Sequence, residues 1–105
     1  MNLPIDWELQ IEHLRYLSLE MLELAQADEW EIVIEREEQR RTLLDELFQS
    51  PPPVQWIPLL KDAVQVTLSS DAQVQELARA ERDKISDHLR ALKQGRRALS
   101  AYDDA

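Results

Sequence analysis

Apolar residues recur every three or four positions through the first quarter of the chain. Trp7, Ile11, Leu14, Leu17, Met21 and Leu24 form one stripe, widened by Leu9 and Leu22. This period predicts a helix from about Ile5 to Ala27, with Pro4 tolerated near its first turn. A second stripe opens with Trp30, Val33 and Ile34 and closes with Leu43, Leu44, Leu47 and Phe48, which predicts helix over 29–48. Between those ends, Glu35 to Thr42 contains no apolar residue. Continuing the phase puts Glu37 and either Arg40 or Arg41 on the inner face. Charges in that position fit a partly buried network bridging neighbouring helices, or the polar floor of a groove. The pattern leaves both open.

The junction Ala27-Asp28-Glu29-Trp30-Glu31 has almost no loop. Asp28 followed by Glu31 has the N-cap and N3 spacing of a capping box, so one helix can stop and another start within a few residues. So short a connection sets the two helices antiparallel. Trp30 then fills the space at the closed end of the pair.

Pro51-Pro52-Pro53 is a stiff, extended breaker, which makes 49–54 a linker. Beyond it Ile57, Leu60, Val64, Thr67/Leu68, Asp71, Val74, Ala78, Ile85, Leu89 and Leu92 hold nearly one helical phase. They predict one long helix over 57–94, with a bend possible near Ser70. Gly95, following Lys93, has the signature of a C′ stop. Residues 96–105 then form a short final segment whose last three residues fray. The fold class predicted is all-α: an antiparallel three-helix arrangement, a helical hairpin plus a long third helix, with a short C-terminal helical segment. The whole chain, 1–105, is one domain.

Composition narrows the chemistry. The chain has 105 residues, no cysteine and a single glycine. Disulfides, thiolate metal sites and cysteine nucleophiles are excluded, and a reducing cytoplasm suits the chain. Phosphate-cradling loops need glycine for close backbone approach, so P-loop and dinucleotide folds are excluded too. Asp6, Glu8 and Glu12 interrupt any leader-like opening, and no apolar run reaches the roughly 20 residues needed to span a bilayer.

The net charge is −9 and is unevenly spread: residues 1–50 carry thirteen acids and four bases, whereas residues 51–105 carry eight of each. A basic third helix packing along an acidic hairpin accounts for this, and the overall acidity argues against nucleic acid.

Catalytic groupings are missing from the pattern. His13 and His88 have no acid three positions earlier and lack a two-histidine zinc spacing. Glu37 and Glu38 are adjacent, so they point to different faces of a helix. The serines sit in no glycine-flanked elbow. Arg15, Arg40 and Arg41 could converge on a dianion as in small all-α chorismate mutases, but the acidic hairpin and the absence of a matching motif oppose this. The chain is expected to be no enzyme, with no metal and no cofactor. Trp7, Trp30 and Trp56 fall near helix ends, where an indole buries its rings while its N–H reaches a carbonyl or water.

These landmarks together support a comparison. Leu22 to Glu31, then Val33, Glu37, Arg40 and Leu43, resembles the first helical hairpin of the flagellar export chaperone FliT family. A proline-containing linker and a long third helix follow in the same order. The ending Leu92-Lys93-Gln94-Gly95-Arg96-Arg97-Ala98-Leu99-Ser100-Ala101-Tyr102 is similar to the Gly-basic-basic-Ala…Tyr ending of some members. Asp28 is a departure, because many relatives have glycine or another small turn residue there.

The resemblance implies a cytoplasmic type III export chaperone for the filament-cap protein FliD. It would bind the disordered C-terminal segment of FliD, prevent premature assembly and contact the export ATPase complex. An open apolar groove suits an amphipathic partner helix. Ile57, Leu60, Val64 and Leu68 on the third helix are candidates for it, with Val33 and Leu44 opposite. The segment after Gly95, carrying Leu99 and Tyr102, is expected to fold back over part of that surface as an autoinhibitory tail. Asp28, Trp30, Glu37, Arg40 and Gly95 have structural roles in this scheme. Two other functions fit the same residues: a flagellar chaperone for hook–filament junction proteins, and a non-enzymatic helical homodimer or adaptor. Neither nucleic-acid binding nor membrane insertion is expected.

Overall fold

The computed structural model describes residues 4–103. Three α-helices follow one another: α1 (Trp7–Gln26), α2 (Trp30–Leu47) and, after a 3-10 turn at Val54–Trp56, α3 (Ile57–Asp103). No strand is present among the described residues, so the fold is all-α. The chain forms two compact units, Met1–Gln75 and Glu76–Ala105.

α1 begins two residues later than its apolar stripe suggests, and Asp6 is the reason. Its Oδ1 accepts a hydrogen bond from the Leu9 amide at 3.1 Å, and its own carbonyl accepts from Gln10 N–H at 3.0 Å. An aspartate that satisfies an otherwise orphaned amide defines the cap, and the helix proper follows it.

The end of α1 corrects the expected chemistry of the junction. Asp28 does not cap α2; Glu29 occupies the N-cap position and makes no side-chain cap bond. Asp28 instead takes the left-handed conformation, φ 60°, the only positive φ of a non-glycine residue among those described. Its N–H donates to Ala25 O at 3.1 Å, and Glu29 N–H donates to Leu24 O at 2.9 Å. These two bonds are the Schellman pattern with Asp28 at C′. The capping-box spacing misleads because the first helix must end in a left-handed residue before the second can start. Trp30 is half-buried, and its Nε1–H is shielded from solvent without a hydrogen-bond partner.

Within the first unit the core takes one stripe from each helix. Ile11, Leu14 and Leu17 of α1 meet Leu43 and Leu47 of α2 and Leu60 and Ala63 of α3, with Trp7, Leu44, Trp56 and Val64 packed around them. Burying each such leucine stabilises the fold by roughly 2 kcal/mol. Met21, Ala25 and Val33 are buried as well. The α1 and α2 backbones approach most closely. Pro58, in the first turn of α3, costs no intrahelical hydrogen bond there.

α3 passes through the two positions where an interruption is conceivable. Ser70 turns its hydroxyl inward, donating to Val66 O at 2.8 Å, so it does not cap a new helix. Gly95 is helical, with no positive φ and open space around it, and α3 continues to Asp103. The expected stop at Gly95 is therefore corrected. One glycine costs a helix only about 1 kcal/mol, and Leu92, Lys93, Arg96, Arg97 and Ala98 on either side are strong helix formers. The residues after Gly95 continue α3 and form no separate segment; Asp104 and Ala105 lie outside the described residues.

The left-handed Asp28 makes a prediction. Asp28→Gly removes the Cβ clash of that conformation and offsets it only partly with added freedom of the unfolded chain. The variant is expected to be more stable by about 0.5–1 kcal/mol, and Asp28→Val less stable than wild type. Urea denaturation followed by circular dichroism checks the order Gly, Asp, Val.

Candidate functional site

The charged centre of α2 resolves into an inner and an outer set. Arg40 is 8% exposed and points into the first unit. Its Nη1 and Nη2 donate to Asp71 Oδ1 and Oδ2 of α3, each at 2.9 Å, a bidentate pair. Nη1 also donates to Ser18 Oγ of α1 at 3.3 Å. Ser18 Oγ lies 2.8 Å from Thr67 Oγ1, which donates to Ala63 O at 2.9 Å. Because the Thr67 proton is committed to that carbonyl, Ser18 donates to Thr67 and accepts from Arg40. Each proton in the relay has one direction, and all three helices contribute to it.

Glu37 is not in this network. It accepts from Arg41 Nη2 at 2.7 and 2.8 Å on the outer face, one turn away on the same helix. Arg36 Nε donates to Glu20 at 2.9 Å and ties α2 to α1. These bonds hold the Arg36 and Arg41 guanidinium groups above their ordinary range. Arg15 is exposed. The three arginines that could have gathered a dianion are thus separated: one exposed, one paired outward, one buried against Asp71.

The inner network has nothing for a substrate to use. Ser18 is fully buried and the Arg40 fork is committed to a carboxylate and a hydroxyl. It is a packing device joining three helices. Sequence reasoning picked out Arg40 and missed Ser18, Thr67 and Asp71 as its partners. The available signal was small polar residues inside otherwise apolar core stripes: Ser18 between Leu17 and Met21, and Thr67 with Asp71 one turn on.

An apolar groove lies at the end of the first unit where the proline linker joins α3. Phe48, Pro52, Ile57, Leu60 and Val64 line it, with Lys61 and Gln65 at its edge, and its volume is about 420 Å³. Of the six candidate partner-binding residues, the structure gathers Ile57, Leu60 and Val64 here. Leu44 packs against the core, Val33 is buried in the first unit, and Leu68 is exposed on α3 outside the groove lining. Phe48 and Pro52 are lining residues that the sequence pattern assigned only to a helix end and a linker. In the second unit Leu99 and Tyr102 are largely exposed, on the same helix face as Ala91, Leu92 and Ala98.

Among the described residues no group of His, Cys, Asp or Glu is placed to hold a metal ion. None of their helices is long and apolar enough to cross a membrane. The first unit is thus a helical scaffold with a largely buried polar network and an open apolar groove.

The comparison with protein families places this scaffold. The family model for flagellar protein FliT matches residues 9–104, nearly the whole chain, and the chain belongs to the FliT family, a family of flagellar export chaperones. No curated protein and no solved structure matches it.

The buried network makes a second prediction. Arg40→Ala strands the Asp71 carboxylate and the Ser18 hydroxyl, and Asp71→Ala strands the guanidinium. Asp71 is a third exposed, so water moderates either loss. Each variant is expected to be destabilised by about 2–3 kcal/mol, and the double variant by little more than the worse single one. A double-mutant cycle in urea measures the coupling.

Proposed function

We propose that the chain is the cytoplasmic export chaperone of the filament-cap protein FliD, holding the C-terminal segment of FliD in the groove lined by Phe48, Pro52, Ile57, Leu60 and Val64. The supporting observation is the groove itself: apolar side chains left partly open to solvent at one end of a helical unit, in a chain of the FliT family. An amphipathic helix seats anchors spaced i, i+3, i+4 and i+7 in such a groove. Covering its apolar residues would keep a disordered, assembly-prone tail from pairing with other copies. Lys61 at the edge favours a tail with an acidic residue beside its anchors.

The chaperone then releases this tail to the export machinery, with the export ATPase complex as its further partner. Chemistry plays no part; the work is differential binding. Contact residues outside the groove, such as Leu68, would make a smaller contribution.

Isothermal titration calorimetry with synthetic C-terminal tails tests the assignment. The tail of FliD is expected to bind, and tails of the hook–filament junction proteins to bind at least tenfold more weakly. The reverse order reassigns the client. Phe48 and Ile57 are exposed enough to truncate without unfolding the chain. Phe48→Ala with Ile57→Ala is expected to weaken FliD-tail binding about tenfold or more, whereas Leu68→Ala leaves it nearly unchanged.

A further inference from the structure

The second unit holds only the later part of α3, and the helix there is strongly two-sided. Ile85, Leu89, Leu92, Leu99 and Tyr102 are each more than half exposed. At 100° per residue, these side chains with Ala91 and Ala98 cover about half of the helix circumference. Arg96 lies within that arc, Lys93 at its border, and Arg90 and Arg97 beyond it. Residues 88–102 carry these four bases and no acid, between Asp87 on one side and Asp103-Asp104 on the other. Arg90 reaches Asp87 at 3.6 Å, and among the described residues Lys93, Arg96 and Arg97 form no salt bridge. A lone helix with such a face is marginal in water, because most helical stability comes from packing an apolar face against something else.

The width of the arc and the sign of the charge together select what covers it. A single partner helix covers a narrower seam than this. The interfacial zone of a lipid bilayer takes up half of a helix surface at once, and it favours leucines on one face with arginine and lysine on the other. The bases are strung over about 11 Å, from seven residue steps at the helical rise, and do not converge on one point. That arrangement suits a surface of many phosphates better than one bound anion. A helix is about 10 Å across, close to the screening length in physiological salt, so even Arg90 and Arg97 stay within reach of lipid phosphates when the leucines face the bilayer. The same screening makes the local excess of four bases count for more than the net charge of −9 of the whole chain.

We propose that residues 85–102 of α3 are a docking surface for an anionic phospholipid bilayer. The helix lies in the plane of the surface, with Leu89, Leu92 and Leu99 sunk into the boundary between headgroups and acyl chains. Lys93 and Arg96, nearest the leucines, run their apolar stems along that boundary and hold their charges at the phosphates. Tyr102 places its ring beside the leucines and its hydroxyl among the headgroups. The contact is peripheral: no described helix is long and apolar enough to cross a membrane. It involves the second unit alone, so it stands or falls separately from client binding in the groove of the first unit.

Co-sedimentation of the full chain with lipid vesicles tests the proposal. Wild type is expected to bind phosphatidylglycerol vesicles, to bind phosphatidylcholine vesicles about tenfold or more weakly, and to lose the difference as salt rises. Lys93→Glu with Arg96→Glu is expected to weaken binding to phosphatidylglycerol about tenfold or more, whereas Lys93→Arg with Arg96→Lys stays within about threefold of wild type. Leu92→Gln with Leu99→Gln, which leaves every charge in place, is expected to weaken it by a similar factor. All four positions are exposed, and circular dichroism verifies that each variant keeps its helix content. No binding to phosphatidylglycerol, equal binding to both lipids, or indifference to the charge reversal would overturn the proposal. Indifference to the leucine changes would also overturn it, since that marks adhesion by charge alone. Displacement of the chain from vesicles by poly-glutamate at matched charge would assign the surface to an acidic polypeptide and likewise overturn the bilayer as its occupant.

Discussion

One buried guanidinium organises the first unit. Arg40 reaches α3 through Asp71 and α1 through Ser18, and Ser18 in turn reaches α3 through Thr67. Apolar packing alone is tolerant: a leucine stripe can slide by a turn and still bury most of its area. A bidentate fork has no such tolerance. Shifting α3 by one residue rotates it by about 100° and takes Asp71 off Arg40, leaving a charge buried without a partner. The core made by Leu14, Leu17, Leu47 and Leu60 supplies attraction, and the Arg40 relay specifies the register in which it acts.

That register positions the groove. Phe48 at the end of α2, Pro52 in the linker and Ile57, Leu60 and Val64 on α3 lie on two helices and the chain between them. Their alignment depends on where α3 sits along α2. Leu60 is shared between the buried core and the groove, so the same residue joins the stability of the unit to the shape of the groove. The three prolines keep the connection extended and hold Pro52 at the groove wall. A polar interior that locks helix positions from behind lets such a groove stay apolar and open without collapsing.

Much of this was legible in the order of residues. Three- and four-residue spacing located α1, α2 and most of α3, and the proline run located the break between them. The order of landmarks from Leu22 to Tyr102 carried the family. The errors came from two residues whose conformation depends on more than local type. Asp28 has the chemistry of an N-cap, yet its neighbours required a left-handed residue to close α1. Gly95 has the chemistry of a helix stop, yet nothing around it requires one, and strong helix formers carry α3 through.

Periodicity could state that a charge lies on the inner face of α2, because an eight-residue stretch without an apolar side chain must turn one of its faces inward. It could not choose Arg40 over Arg41, because one residue is a 100° rotation and only the positions of Ser18 and Asp71 decide which side is buried. Nor could it separate Val33, which ends inside the unit, from Ile57, which stays half open, since both are β-branched apolar residues on correctly phased stripes. The presence and order of the helices and the all-α class depend on neighbours within a few residues and were determined by the sequence by itself, whereas the end of α3 was not. The hydrogen-bond relay and the members of the groove depend on side chains from three helices meeting at one point, across as many as 49 positions for Ser18 and Thr67, and only the tertiary structure decided them.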